Sequence, residues 1–329
     1  MTAPPDTTKA DPAAGLGSGV LAFLRRNTII ALLLLLAAFV LSIEIVRPGT
    51  VNPTWVSNTL LFAAPLGIMA AGQTLVMLTG GIDLSVASVA TGAAYLLATN
   101  ASLGTPSAIL IGLSLGVLVG FVNGVGIAVM RVQPLVMTLG TGLMSGGIMI
   151  VYSQKMLASQ PHVPEFIQTL GSAKLGGLFP YDLFLWFPLS VLIIFALRRS
   201  GFGRLLYAVG DNREACELSG VRVWRVLLAA YILCGLMAAI GGLLLVGGTN
   251  ASDLSLADSY LLPSVAAVII GGTSIFGGRG GYSGTIAGAL ILTVLTSLLT
   301  LLDASEPVKQ ILYGAIILSL AAAYARLTD

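Results

Sequence analysis

Few side chains in this chain have the chemistry for catalysis, and none stands in a pattern that supports it. The single histidine, His162, lies between Pro161 and Pro164 in a connecting stretch. Gly112-Leu-Ser-Leu-Gly116 has the spelling of a serine-hydrolase elbow. That elbow needs a strand-to-helix turn and a histidine, whereas this one falls within an apolar helix. None of the four lysines (Lys9, Lys155, Lys174, Lys309) follows a glycine, so no G-x-x-x-x-G-K-[ST] phosphate loop exists. Gly278-Arg-Gly280 begins like a dinucleotide fingerprint, but position 283 is Ser and no strand precedes it. Cys216 and Cys234 form neither a disulfide framework nor a metal spacing and read as small buried or interfacial residues. No catalytic residue, bound metal or resident cofactor is expected.

The remaining chemistry is passage. Val268–Gly284 is dense in glycine between two apolar runs, and glycine costs a helix roughly 1 kcal/mol against alanine. Irregular backbone at membrane depth survives only buried in protein or lining a watery cavity. Gln73, Thr74, Asn123, Thr138, Thr141 and Ser145 are polar residues at that depth and belong inside the bundle. With Gly271, Gly272 and Thr273 they are the candidate lining of a translocation path. The other reading of the polar six is hydrogen bonding between helices. Charge is nearly absent from the interior, with Asp83 and Glu44 at span ends and Asp253 and Asp258 in an outer loop. That scarcity argues against an ion-driven carrier and for a neutral, hydroxyl-rich solute.

A second group lies in the charged segment Arg198–Arg225, which holds six arginines. Asp211 reads as an N-cap with Glu214 at N3, and Gly220 as the C′ glycine. Together they predict about two helical turns over Asn212–Ser219, presenting Ala215, Cys216 and Ser219. So short a helix needs a partner surface, unless the segment is simply a solvated basic loop.

These residues must be held by helices. The 329-residue chain is 56% hydrophobic and 9% charged, with a mean hydropathy of +0.97, and its apolar runs are continuous, about 20 residues each. The fold expected is an all-α polytopic membrane protein, with spans near 27–46, 57–79, 84–99, 106–130, 134–152, 181–198, 225–247, 261–277, 282–302 and 309–325. With the N-terminus inside, 12 Lys and Arg fall on the cytoplasmic side and 4 outside, so both termini are cytoplasmic. Residues 1–26 read as a disordered tail, 27–326 as one transmembrane domain, 153–180 as a periplasmic loop and 199–224 as a cytoplasmic loop. The spans 84–99 and 261–277 are short and adjoin glycine breaks, as near a permeation path, or are re-entrant. Gly112, Gly116, Gly120 and Gly124 form a stripe for close helix packing, read as contact within one subunit. A net charge of +2, spread along the chain, gives nucleic acid no surface to bind.

Four stretches now carry a resemblance. They are Gly72-Gln-Thr-Leu-Val-Met-Leu-Thr-Gly-Gly-Ile-Asp-Leu-Ser85, Val132-Gln-Pro-Leu-Val-Met-Thr-Leu-Gly140, Gly210-Asp-Asn-Arg-Glu-Ala-Cys-Glu-Leu-Ser-Gly220 and Gly271-Gly-Thr-Ser-Ile-Phe-Gly-Gly-Arg-Gly-Gly-Tyr-Ser-Gly-Thr285. In this order, over roughly 28–326, they resemble the permease subunit of bacterial ABC importers of the ribose/xylose/arabinose type. The resemblance implies a homodimer served by a periplasmic solute-binding protein and by a cytoplasmic ABC ATPase that holds ATP and Mg. It implies further that Asp211, Asn212, Glu214, Ala215, Cys216, Ser219 and Gly220 couple the chain to that ATPase. Two departures stand out: Ala215-Cys216 replaces the paired alanines usual there, and Val86-Ala87-Ser88 replaces Val-Gly-Ser. Related permeases for branched-chain amino acids share the architecture but normally lack the Gly-Thr-Ser signature, so a sugar is the expected solute.

Overall fold

In the computed structural model, which describes residues 28–155 and 161–328, one long helix organises the others. This is α10 (Val223–Thr249), an apolar helix of 27 residues. Beside it run α2 (Pro53–Met77), α3 (Val86–Thr99) and α4 (Thr105–Ala128). Their approach is close because the contacts are made by glycine. A Cβ on Gly116 or Gly120 would run into the α10 backbone at Gly235 and Tyr231, and one on Gly124 would lie 2.8 Å from Leu228. Gly235 meets Gly116 in return, Gly72 lies against Cys234, and Gly242 lies against Ala90. The stripe therefore packs within the subunit, and Cys234 is buried at its centre. In lipid, where apolar burial gives little drive between helices, such backbone approach supplies the van der Waals contact.

A second group joins α11 (Leu261–Ile270), α12 (Tyr282–Leu301) and α13 (Glu306–Thr328), with α1 (Thr28–Val46) lying against α12. Gly271 and Gly284 meet at the α11–α12 crossing, and Gly288 meets Ala267. Tyr282 ties this group to the rest. Its buried hydroxyl accepts from Trp186 Nε1 at 2.9 Å and donates to Gly67 O at 2.9 Å. Helices α1, α5 (Pro134–Lys155) and α7 (Leu183–Arg199) expose rows such as Leu33, Leu34, Leu139, Leu143, Phe187 and Phe195, the surface a bilayer would cover.

A helix stands at each of the ten predicted spans. Six of them are each long and apolar enough to cross a membrane, whereas α3 and α11 have only 14 and 10 residues. At about 1.5 Å per residue these two fall short of a bilayer core of about 30 Å. The eighth predicted span ended at 277; its helix stops at Ile270, where Gly271-Gly272 turns the chain. The predicted tail, residues 1–26, lies outside the described residues.

Two connections hold structure that the sequence reading under-resolved. Within 153–180, α6 (Glu165–Ser172) and a two-residue antiparallel pair, β1 (Lys174–Leu175) and β2 (Phe179–Pro180), form a cap. Gly171 of α6 meets Gly248 and Leu244, and Ile167 is buried there. Within 199–224, α8 (Gly201–Asp211) precedes the predicted short helix and bends 67° from α7. Ser200 starts α8 by accepting from Gly203 N at 3.0 Å.

The crossing of α4 and α10 leaves no room for a side chain at Gly116. Gly116→Leu should leave no monodisperse protein in mild detergent, since overpacking costs about 1–3 kcal/mol even in forgiving cores. Gly140→Leu, where an added Cβ meets nothing within 4 Å, should behave as the parent chain in size-exclusion chromatography. Equal profiles would show that the crossing is not limiting.

Candidate functional site

The two glycine breaks meet at one end of the bundle, and the end of α8 is wedged between them. Gly278 N donates to Leu78 O at 3.0 Å, joining the 271–281 loop to the end of α2. A Cβ on Gly277 would lie 2.8 Å from Gly80 N and 2.9 Å from Gly210 O; one on Gly210 would collide with Leu78 O. Gly277 and Gly278 have φ of +90° and +71°, conformations open to glycine without strain. Tyr207 of α8 donates to Gly280 O at 2.9 Å. Burial, partly offset by Arg198, raises its phenol above the ordinary range, which keeps it a donor at neutral pH.

Immediately beyond this wedge comes α9 (Arg213–Leu218). Its cap differs from the predicted one. Asn212, not Asp211, is the N-cap, accepting from Ala215 N at 2.9 Å, and Glu214 sits at N2. Asp211 is instead the last residue of α8, which the sequence reading did not resolve. The predicted end holds: Gly220, at φ +81°, donates to Glu217 O, and Val221 N donates to Cys216 O, both at 3.0 Å. Glu217 bonds Arg213 at 3.1 Å and lies 3.9 Å from Arg131 in the α4–α5 turn. Asn212, Glu214, Ala215 and Ser219 are exposed, Cys216 is half-buried, and Leu218 is 84% exposed. Leu218 was not among the predicted residues; an apolar residue on a charged two-turn helix was the available signal.

The predicted path residues form a buried chain of hydrogen bonds around the first break. Gln73 Nε2 donates to Asp83 O at 2.5 Å, and Asp83 N donates back to Gln73 Oε1 at 3.2 Å. Asp83 Oδ1 accepts from Ser85 N and Ser85 Oγ, at 2.8 and 2.5 Å. Ser85 Oγ accepts from Asn123 Nδ2 at 3.0 Å, and Asn123 Oδ1 accepts from Thr141 at 2.6 Å. Thr138 Oγ1 accepts from Leu84 N at 3.0 Å, while Thr74 and Thr285 share a 2.9 Å bond. Thr273 Oγ1 accepts from Gly281 N at 3.2 Å beside Gly272, which has φ of +86°, and Gly271 forms the crossing with Gly284. Ser145 is buried with its hydroxyl unpartnered. Asp83, placed at a span end from sequence, is fully buried here, with Oδ2 unpartnered. With Asp182 at the start of α7, also buried and unpartnered, the described interior holds two acids that the charge pattern did not imply.

None of these residues lines the large cavity, of about 700 Å³, which opens at the opposite end among α2, α11, α12 and α13. Between that cavity and the wedge, every residue of α2 from Ala63 to Met77 is buried.

These features define a polytopic helical membrane protein with paired, interlocked breaks. Residues 55–321 match the family described as branched-chain amino acid transport system / permease component, and the chain belongs to that family. The ribose import permease protein of Escherichia coli (strain K12) is 34% identical over 305 residues, covering 90% of this chain and 92% of that protein. That of Bacillus subtilis (strain 168) is 33% identical, covering 85% and 87%. The fructose import permease protein of Rhizobium meliloti is 34% identical, covering 78% and 73%. No solved structure matches the chain significantly.

The Asp83 turn gives a direct test. Asp83→Asn keeps an acceptor for Ser85, whereas Asp83→Ala orphans its N–H and hydroxyl at a cost of about 1–3 kcal/mol. Thermal unfolding in detergent should fall markedly further for Asp83→Ala than for Asp83→Asn. Equal midpoints would mean that the carboxylate's bonds do not hold the break.

Proposed function

We propose that this chain is the membrane permease of an ATP-driven importer that moves a sugar or sugar-like solute into the cytoplasm by alternating access. Two copies form the translocation unit. A periplasmic binding protein delivers the solute, and a separate cytoplasmic ABC ATPase binds ATP with Mg and hydrolyses the ATP. The observation that carries the reading is the direct physical line from α9 through the end of α8 into both breaks. A partner seated on Ala215, Cys216, Leu218 and Ser219 pushes on a short helix braced at its base by Gly210 against Leu78 and Gly277. Because interlocked backbones cannot deform continuously, the push moves α2 and the 271–281 loop as one unit. The arginine-rich end then faces the cytoplasm, the 153–180 cap faces the periplasm, and the large cavity opens outward.

Sugar is favoured over branched-chain amino acids because the relatives named above are ribose and fructose permeases. The Gly-Thr-Ser segment agrees with that choice. An ion-coupled carrier or channel needs no surface like α9, and it would transport with no ATPase present.

Affinity purification of the tagged chain from its own membranes, with partners identified by mass, is the first test. A co-purifying chain with phosphate-binding loops supports the importer. A homo-oligomer that transports when reconstituted alone overturns it. Gly220→Val, Glu214→Arg and Leu218→Asp should each cut uptake by at least about tenfold, the equivalent of about 1.4 kcal/mol at the docking surface, while membrane insertion stays normal. Normal uptake in all three would sink the coupling assignment.

A further inference from the structure

The cavity at the end opposite α9 is walled by hydroxyl and aromatic side chains. One wall is a single face of α2, where Trp55, Asn58, Thr59, Phe62 and Leu66 follow helical spacing. The facing wall is one side of α12, with Thr293, Thr296 and Ser297. Tyr260 and Pro263 close one flank. Its charged lining residues, Arg47, Asp303 and Glu306, are all exposed and sit at helix ends, so they form a rim. Its volume falls within the range of small-molecule sites, about 300–1,000 Å³.

The hydrogen-bonding state of the walls is directional. Thr59 donates to Trp55 O, Thr293 to Ala289 O and Thr296 to Leu292 O, at 2.9, 2.9 and 2.7 Å. A hydroxyl has one donor and two acceptor lone pairs, so Thr59 and Thr293 have spent their donors on their own helices and keep acceptor capacity, whereas Thr296 also shares a 2.6 Å bond with Tyr313. Ser297 Oγ takes a bond from Trp55 Nε1 at 3.0 Å, which fixes the indole across the gap between α2 and α12. The walls thus combine spare acceptors and aromatic surface, with charge only at the rim and where Lys174 and Lys309 reach Asn58 and Thr300. An acyl chain would leave those hydroxyls dry, at a cost. A charged solute would find counter-charge only at the edge and none on the faces formed by Trp55, Thr59, Thr293 and Ser297. A neutral molecule carrying several hydroxyl donors and an apolar C–H face satisfies both features.

We propose that this cavity is a solute site of the permease itself, taking a neutral polyhydroxylated molecule of monosaccharide size in the outward-open state. The inference rests on the sugar-import reading and adds that the membrane subunit, as well as its binding protein, reads the solute.

The test is uptake of a panel of labelled pentoses and hexoses, including D-ribose and D-fructose, with leucine as comparison, by cells holding the complete transporter. Thr293→Val and Thr59→Val should each reduce uptake by about fivefold, the equivalent of one neutral hydrogen bond, and should change the ratio between sugars. Membrane abundance and ATPase co-purification should stay at the parent level. Ser297→Cys avoids dependence on folding: reaction of the assembled transporter with a bulky membrane-impermeant maleimide should block uptake, with excess transported sugar slowing the reaction. The parent chain, treated identically, should be unaffected. Unchanged uptake and sugar ratios after quantitative Ser297→Cys modification overturn the cavity site while leaving the import reading intact. Uptake of leucine and of no sugar overturns both.

Discussion

Every main-chain N–H and C=O that a broken helix frees at membrane depth must find a partner within the protein. Two breaks in this chain free such groups, after α2 and after α11, and they solve the problem jointly. Leu78 O accepts Gly278 N, while the side chain of Gln73 closes the first break onto Asp83 through both of its polar ends. The breaks are therefore coupled by the same bonds that make them tolerable in a bilayer.

From that coupling follows the placement of α8. The end of this short amphipathic helix anchors at the junction of the breaks, where Gly210 supplies the necessary lack of a side chain. Being anchored there, α8 presents α9 beyond the bundle, with Leu218 exposed. The same rigid α2 that ends in this junction forms, at its other end, a wall of the hydroxyl-lined cavity. One helix thus runs from the junction behind α9 to the hydroxyl-lined cavity.

Glycine does two kinds of work here. Along α4 and α10 it permits backbone contact, which builds a stiff centre around Cys234 and Tyr231. In the breaks it permits backbone shape, as at Gly277 and Gly278. Stiffness in the first place makes displacement in the second transmissible, because a packed core passes on movement that a loose one would absorb.

The sequence by itself determined the class, the ten helices, the paired breaks, the close-packing stripe and the Gly220 stop, because each depends on local hydropathy or on a residue's own conformational range. It left open whether the buried polar residues served a path or one another. Only the tertiary structure decided that Gln73, Asn123, Thr138 and Thr141 bond around the first break. It also decided that Thr293, Thr296 and Ser297 face Trp55 across a cavity. Hydrogen bonds between α2, α3, α4 and α5 join residues up to 56 positions apart, and that of Trp55 to Ser297 spans 242. Local composition says which groups need partners; only the packing of helices says which partners, or which solutes, lie within reach.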